Sequence, residues 1–349
     1  MTSDNEDPLV NDRSASWEEI ETRARELLAL VGPSKNAEFH FEILMSALRL
    51  VRDEPARLDL KILNSAIKEL RYSFRVFAAV KGTRKIAIFG SARTDPEDNL
   101  YKMCESFAAL CVQRGFQVIT GAGPGIMEAG NKGAGPAGGF GLAIRLPFEP
   151  DANPYVRRPD RLINFKYFFT RKLVFIKESD AVVLFPGGFG TNDEAFELLT
   201  LLQTGKADPR PVVLLDLPGG TYWDTWLDFV KRELVDRRMI DARDLDLLTI
   251  TRSSEEALAE IQRFYSVYHS SRFVGDRLML RLSRPLPPER MAELEVEFSD
   301  IIGAGTLESC PILEEDQSDP RLAVLHPIWF RFDRRSFSRL RGLIDQLNR

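Results

Sequence analysis

The chain is poor in the residues that build covalent or metal cross-links. Three cysteines (Cys104, Cys111, Cys310) and three histidines (His40, His269, His326) are scattered through 349 residues. That is too few and too dispersed for a disulfide framework or a zinc site. Cys104 and Cys111 fall two turns apart on an expected helix and read as core residues, and a reducing cytoplasm is the expected setting. No apolar run approaches the roughly 20 residues of a membrane span. The first residues, "MTSDNEDPLVNDRSASWEE", lack the apolar segment of a secretory signal and read as a frayed tail. There is also no basic excess: 47 Lys and Arg stand against 52 Asp and Glu. No basic stripe with interleaved aromatics marks a nucleic-acid surface. The clusters "RRPDR" at 157–161 and "RRSFSRLR" at 334–341 read equally as solvated faces or binding patches. No GxxxxGK[ST] pattern supports phosphoryl transfer from ATP. No lysine stands out as a pyridoxal anchor.

What is present falls into three regions. Residues 1–83 form a tail and a helical region. "SWEEIETRARELLALVG" carries a serine N-cap, a Glu three residues later and a glycine stop, and apolar residues at three- and four-residue spacing continue to about residue 80. This region offers no catalytic cluster and reads as packing or oligomer surface. Residues 84–250 alternate short apolar runs with amphipathic helices. The runs are "KIAIFGSA", "FQVIT", "GGFGLAIRLP", "DAVVLFPGG" and "PRPVVLLD", and this order predicts a doubly wound, Rossmann-like α/β domain with a parallel sheet. Residues 251–349 read as helix, strand, helix, two strands and helix, an α+β module of ferredoxin-like order.

Three strand-to-helix turns carry small residues: Gly90-Ser91-Ala92, Gly121 to Gly125, and Gly187 to Thr191. In an open α/β sheet ligands sit beyond the carboxyl ends of the strands, where helix N-termini favour a phosphate. "GAGPGI" approximates a dinucleotide fingerprint. The third glycine spacing and the acid at the end of a following strand are both missing, which argues against a redox Rossmann domain. "PGGFGT" is more specific, because an acid, Glu194, follows three residues later. A carboxylate beside an anion site repels the anion, so its work is on another part of the ligand. As a bland alternative, Glu194 would only complement the dipole of its helix from the first turn, and Arg171 would be a surface ion pair.

This segment resembles the PGGxGTxxE signature of the LOG (LONELY GUY) family, enzymes long labelled lysine decarboxylases. The resemblance extends over roughly residues 84–250 and includes "GSAR" at 90–93, "GAGPGIMEAGNKGA" at 121–134 and "RK" at 171–172. Arg171 and Glu194 match the family's paired Arg and Glu. The flanking "NPYVRRPDRLINFKYFFTRK" and "LLTLLQTGK" are similar to the longer bacterial branch. The resemblance implies hydrolysis of a nucleoside 5′-monophosphate to free base and ribose 5-phosphate by a homo-oligomer, without metal or organic cofactor and without a nucleic-acid or membrane partner. Glu194 and Arg171 would be catalytic, with Gly187, Gly188, Gly190 and Thr191 around the phosphate and Lys172 a supporting charge. Ser91 and Arg93 would reach phosphate or ribose, and Gly123, Met127 and Glu128 would border the base. Thr200, like Glu197, stands about one turn or more beyond Glu194 and is a further lining candidate. "FKYFF" at 165–169 offers aromatic rings for a base or for packing. One departure stands out: polar Asn192 takes a place that is commonly apolar in the family. The alternative from another class is a nucleotide sensor that binds without cleaving, with the C-terminal module as regulator.

Overall fold

The computed structural model describes residues 15–145, 152–303 and 305–349. The expected tail at 1–14 lies outside them. The chain forms two compact units, Met1–Ser65 and Ala66–Arg349. In the first, α1 (Trp17–Val31) starts as its sequence suggests: Ser16 accepts a hydrogen bond from the Glu19 N–H at 3.2 Å. Helix α2 (Ala37–Asp53) comes next, and Ala24, Phe41 and Met45 form a small apolar cluster. Helix α3 (Arg57–Ala78) crosses the boundary between the units. Its second half belongs with the larger one, where Phe77 joins the core under the main sheet.

That sheet comprises β1 (Lys85–Phe89), β2 (Gln117–Thr120), β3 (Gly139–Ile144), β4 (Leu162–Phe165), β5 (Ala181–Leu184), β6 (Val212–Leu215) and β7 (Leu248–Thr251). The connecting helices are α4 (Asn99–Gln113), α5 (Ile126–Gly138), α6 (Phe168–Glu178), α7 (Phe189–Gln203) and α8 (Tyr222–Val230), and α9 (Ser254–Phe264) comes after β7. All strand pairings are parallel, in the order β4-β3-β2-β1-β5-β6-β7. This is the expected α/β class. The edge strands β4 and β7 were not legible as strands in the sequence. The central strand shows why the inner ones were. Ala87 and Phe89 enter one core and Ile86 and Ile88 the other, so a strand covered on both faces is apolar throughout. Chain order reverses between β1 and β5, which makes that seam the switch point where an open sheet offers a crevice.

The C-terminal part packs in the same compact unit. It contains β8 (Tyr268–Val274), β9 (Arg277–Leu282), α10 (Pro288–Glu297), β10 (Glu308–Ser309), α11 (Glu314–Gln317), β11 (His326–Arg331) and α12 (Phe337–Leu347). Its antiparallel sheet runs β10-β11-β9-β8. Strand, helix, two strands and helix occur as expected from β9 to α12, with the short α11 between the last two strands. The sequence suggests a helix over "SEEALAEIQRFYSVYHS" at 254–270, but its last three residues instead open the strand Tyr268–Val274, in a hairpin with β9. Within "RRSFSRLR", Arg341 is 2% exposed. It pairs with Glu260 at 2.9 Å and Asp345 at 3.0 Å, so that residue belongs to the interior and not to a solvated face or binding patch.

Candidate active site

The three glycine turns meet at the β1/β5 seam, and Ser91 ties them together. Its N–H donates to Pro186 O at 3.1 Å, and its carbonyl accepts from Ile126 N at 3.0 Å. Gly125 makes the second contact possible: it adopts φ +65°, and a Cβ there would lie 2.4 Å from Ser91 O. Ser91 Oγ accepts from Arg93 N at 3.1 Å, which leaves its hydroxyl proton to donate. Around this junction lies a cavity of about 720 Å³.

Of the residues singled out in the sequence, Glu194, Arg171, Gly187, Gly188, Gly190, Thr191, Ser91, Arg93 and Met127 line this cavity. No side chain caps the start of α7, so its first N–H groups are left for a ligand. Tyr222 and Asn192 hold the loop before it. Tyr222 Oη donates to Gly187 O at 2.6 Å, and Asn192 Nδ2 donates to Gly188 O and to Tyr222 Oη, each at 3.0 Å. The polar residue at 192 thus secures the backbone of the glycine loop.

Glu194 is the sixth residue of α7 and lies in its second turn, not the first as the sequence suggested. It is 8% exposed, and its Oε2 has no hydrogen-bond partner among the described residues. Burial pushes its carboxyl up to about 7, against the lowering effects of Lys172 and then Arg171. A first-turn acid that merely complements the dipole would be solvated and ionised. This one is neither near the helix end nor in water.

Arg171 is 9% exposed and projects from α6, its Nε donating to Leu142 O at 2.8 Å. Gly121 leaves room for it, since a Cβ there would stand 2.3 Å from Arg171 Nη2. Glu69, on α3, fixes the start of α6. Its carboxylate accepts from Lys166 N at 2.9 Å and from Thr170 Oγ1 at 2.6 Å, which ties the chain just before the helix to its first turn, where the N-cap residue Tyr167 makes no side-chain cap.

Four candidates are placed elsewhere. Lys172 turns away to sit 2.7 Å from Asp193 and 2.8 Å from Glu197; one residue along a helix is a rotation of about 100°, enough to part its path from that of Arg171. Glu128 accepts from Tyr101 Oη at 3.3 Å. The Gly123 carbonyl accepts from Asn153 Nδ2 at 3.2 Å. Thr200 is exposed and donates back to Phe196 O at 2.7 Å. Three phenylalanines add to the wall: Phe89 at the end of β1, Phe168 from "FKYFF" and, at the mouth, Phe189 of the glycine signature, which is 97% exposed. Of the aromatic cluster, Phe165 is core and Phe168 is lining. The three histidines lie apart, and among the described residues no group of His, Cys, Asp and Glu is arranged to hold a metal.

A family model described as "Possible lysine decarboxylase" matches residues 127–261. An uncharacterized protein of Archaeoglobus fulgidus is 30% identical over 135 residues, covering 38% of this chain and 83% of its own length. The Arabidopsis thaliana protein named cytokinin riboside 5′-monophosphate phosphoribohydrolase LOG4 is 31% identical over 114 residues, covering 33% of this chain. The chain spans 50% of that plant relative's length. A molybdenum cofactor carrier protein of Chlamydomonas reinhardtii superposes with a TM-score of 0.37 at 23% identity, covering 52% of this chain and 97% of its own. The chain belongs to the LOG family.

Proposed function

We propose that the protein hydrolyses the N-glycosidic bond of a nucleoside 5′-monophosphate, releasing the base and ribose 5-phosphate. The observation that carries this reading is Glu194, a buried carboxyl with an unpartnered oxygen in a cavity whose other wall is a bare helix start. A phosphate bound by the Gly187–Thr191 loop would be separated from Glu194 by roughly 7–8 Å along the helix axis. That spacing suits a ribose between the two. As the C1′–N bond breaks, its electron pair leaves with the base and positive charge builds on the sugar, which an ionised Glu194 stabilises. Water then adds at C1′ and gives a proton to Glu194, whose affinity near neutrality suits that exchange. The departing base takes up a proton from solvent and Glu194 returns its own proton to solvent, so that one water is consumed overall.

Arg171 either pairs with the phosphate or steadies the charge of Glu194. Arg171→Lys separates the roles: the first raises KM alone, and the second moves the pH profile of kcat. Met127 and Phe168 line the cavity and would border the base. Exposed Phe168, Phe169, Leu173 and Phe189 support the homo-oligomer that the family resemblance implies, which sedimentation velocity tests.

The decisive assay is base release from a panel of nucleoside 5′-monophosphates by the native chain and by Glu194→Gln. Release from at least one nucleotide, lost in the variant while binding persists, is the expected result. Binding without release by the native chain would replace the hydrolase with a nucleotide sensor.

A further inference from the structure

Helix α7 lines a second cavity at its other end. Gln203, its last residue, borders a space of about 780 Å³. The other walls are the end of the π-helical turn Lys231–Val235, the segment 238–241, the 3-10 turn Ala242–Leu247, and the start of α12. Four arginines reach it: Arg238, Arg243, Arg335 and Arg339. Two of them share a single carboxylate, Asp300, which lies 3.5 Å from Arg243 and 3.1 Å from Arg339. Arg238 and Arg335 make no side-chain hydrogen bond or ion pair among the described residues.

The acids of the same wall, Asp241 and Asp244, make no ion pair with these arginines among the described residues and are held instead by hydrogen bonds within the fold. Asp241 accepts from Arg243 N at 2.8 Å, and Asp244 accepts from Asp241 N at 3.0 Å, from Gln203 Nε2 and from Ser338 Oγ. Asp333 likewise accepts the N–H groups of Arg335 and Ser336 at the start of α12. The cationic character of this cavity therefore rests on the guanidinium groups and not on a helix end. Arg238 is also held at φ +59°, in the left-handed region that few non-glycine residues adopt. Val235, Met239 and Ile240 supply an apolar wall beside the charges, which suits the organic body of a phosphate ester.

We propose that this cavity binds a phosphate-bearing small molecule, with Arg238 and Arg335 as its principal ligands, at a site separate from that of Glu194. Guanidinium forks fit phosphate oxygens in pairs. Through the Gln203–Asp244–Ser338 contacts, the occupied site would touch the helix that carries Glu194.

Calorimetric titration of the full chain with inorganic pyrophosphate, and separately with ADP, tests the proposal independently of base release. The native chain should show two binding events. Arg238→Ala/Arg335→Ala should lose one of them, its affinity falling at least about tenfold, while the melting temperature is kept. Tighter binding of ADP than of pyrophosphate identifies an ester with an organic body, and equal binding identifies the phosphate groups alone. No binding event in the native chain, or events unchanged in the double variant, overturns the proposal.

Discussion

Lys172 and Arg171 are neighbours on α6 with different electrostatic work. Lys172 never enters the cavity, yet its ammonium is the largest influence holding the Glu194 carboxyl down. Lys172→Met should therefore carry the acid limb of kcat/KM to higher pH, above its native position near 7. An unmoved limb would show that Lys172 matters only for packing. Glu194 itself opposes stability. Its folded pKa is raised from 4.5 to about 7, so the folded state holds the proton more tightly than the unfolded chain. Stability from this group is present below pH 4.5 and is lost as pH rises through 7. Glu194→Gln, besides ending base release, should gain on the order of 1–3 kcal/mol at pH 8 and little at pH 4. Thermal melts at the two pH values would read the difference.

At the scale of elements, the site depends on two holders outside any motif. Tyr222 steadies the glycine loop, so Tyr222→Phe, which loses only the hydroxyl, should raise KM several-fold with kcat nearly kept. Leaving Gly187 O and Asn192 Nδ2 each short of a partner costs about 1 kcal/mol per lost bond. Glu69 seats α6, and Glu69→Ala should lower kcat more than it lowers stability, with Glu69→Gln recovering part of the activity. Equal loss in both variants, in step with the melting temperature, would make Glu69 merely structural. These holders explain what the sequence could and could not disclose. The glycine turns and Glu194 were legible because each is local: a strand, a tight turn and a helix start within a few residues. Glu69 and Tyr222 act on backbone far along the chain, and a lone Glu or Tyr on an amphipathic helix carries no sign of that. Lys172 was misplaced because adjacency in sequence says nothing of direction around a helix. Tyr268–Val274 hid as a strand because its polar "HSSR" shows no clean alternation and comes directly after a helical pattern.

For the whole larger unit, the antiparallel C-terminal sheet is bound to the parallel one through buried charge. Arg341 on α12 holds Glu260 on α9 and donates to Arg210 O at 3.4 Å beside β6. Arg341→Ala takes away one of the two arginines around Glu260, which keeps Arg263, and costs about 1–3 kcal/mol. The larger unit should still melt in one transition, at a lower temperature; a separate early transition confined to residues 251–349 would mean that the C-terminal region folds by itself. The sheet order has a further consequence, and it concerns time. β1 lies in the middle, but its partner β5 is not reached until three other strands and their helices have passed. Closing that seam requires ordering a long intervening loop of chain, the kind of step that makes parallel sheets slow to assemble. The crevice between β1 and β5 does not exist before then. On refolding, helical signal should return well ahead of the capacity to hold a nucleotide, so the newly made chain passes through a well-structured stage in which it is chemically silent.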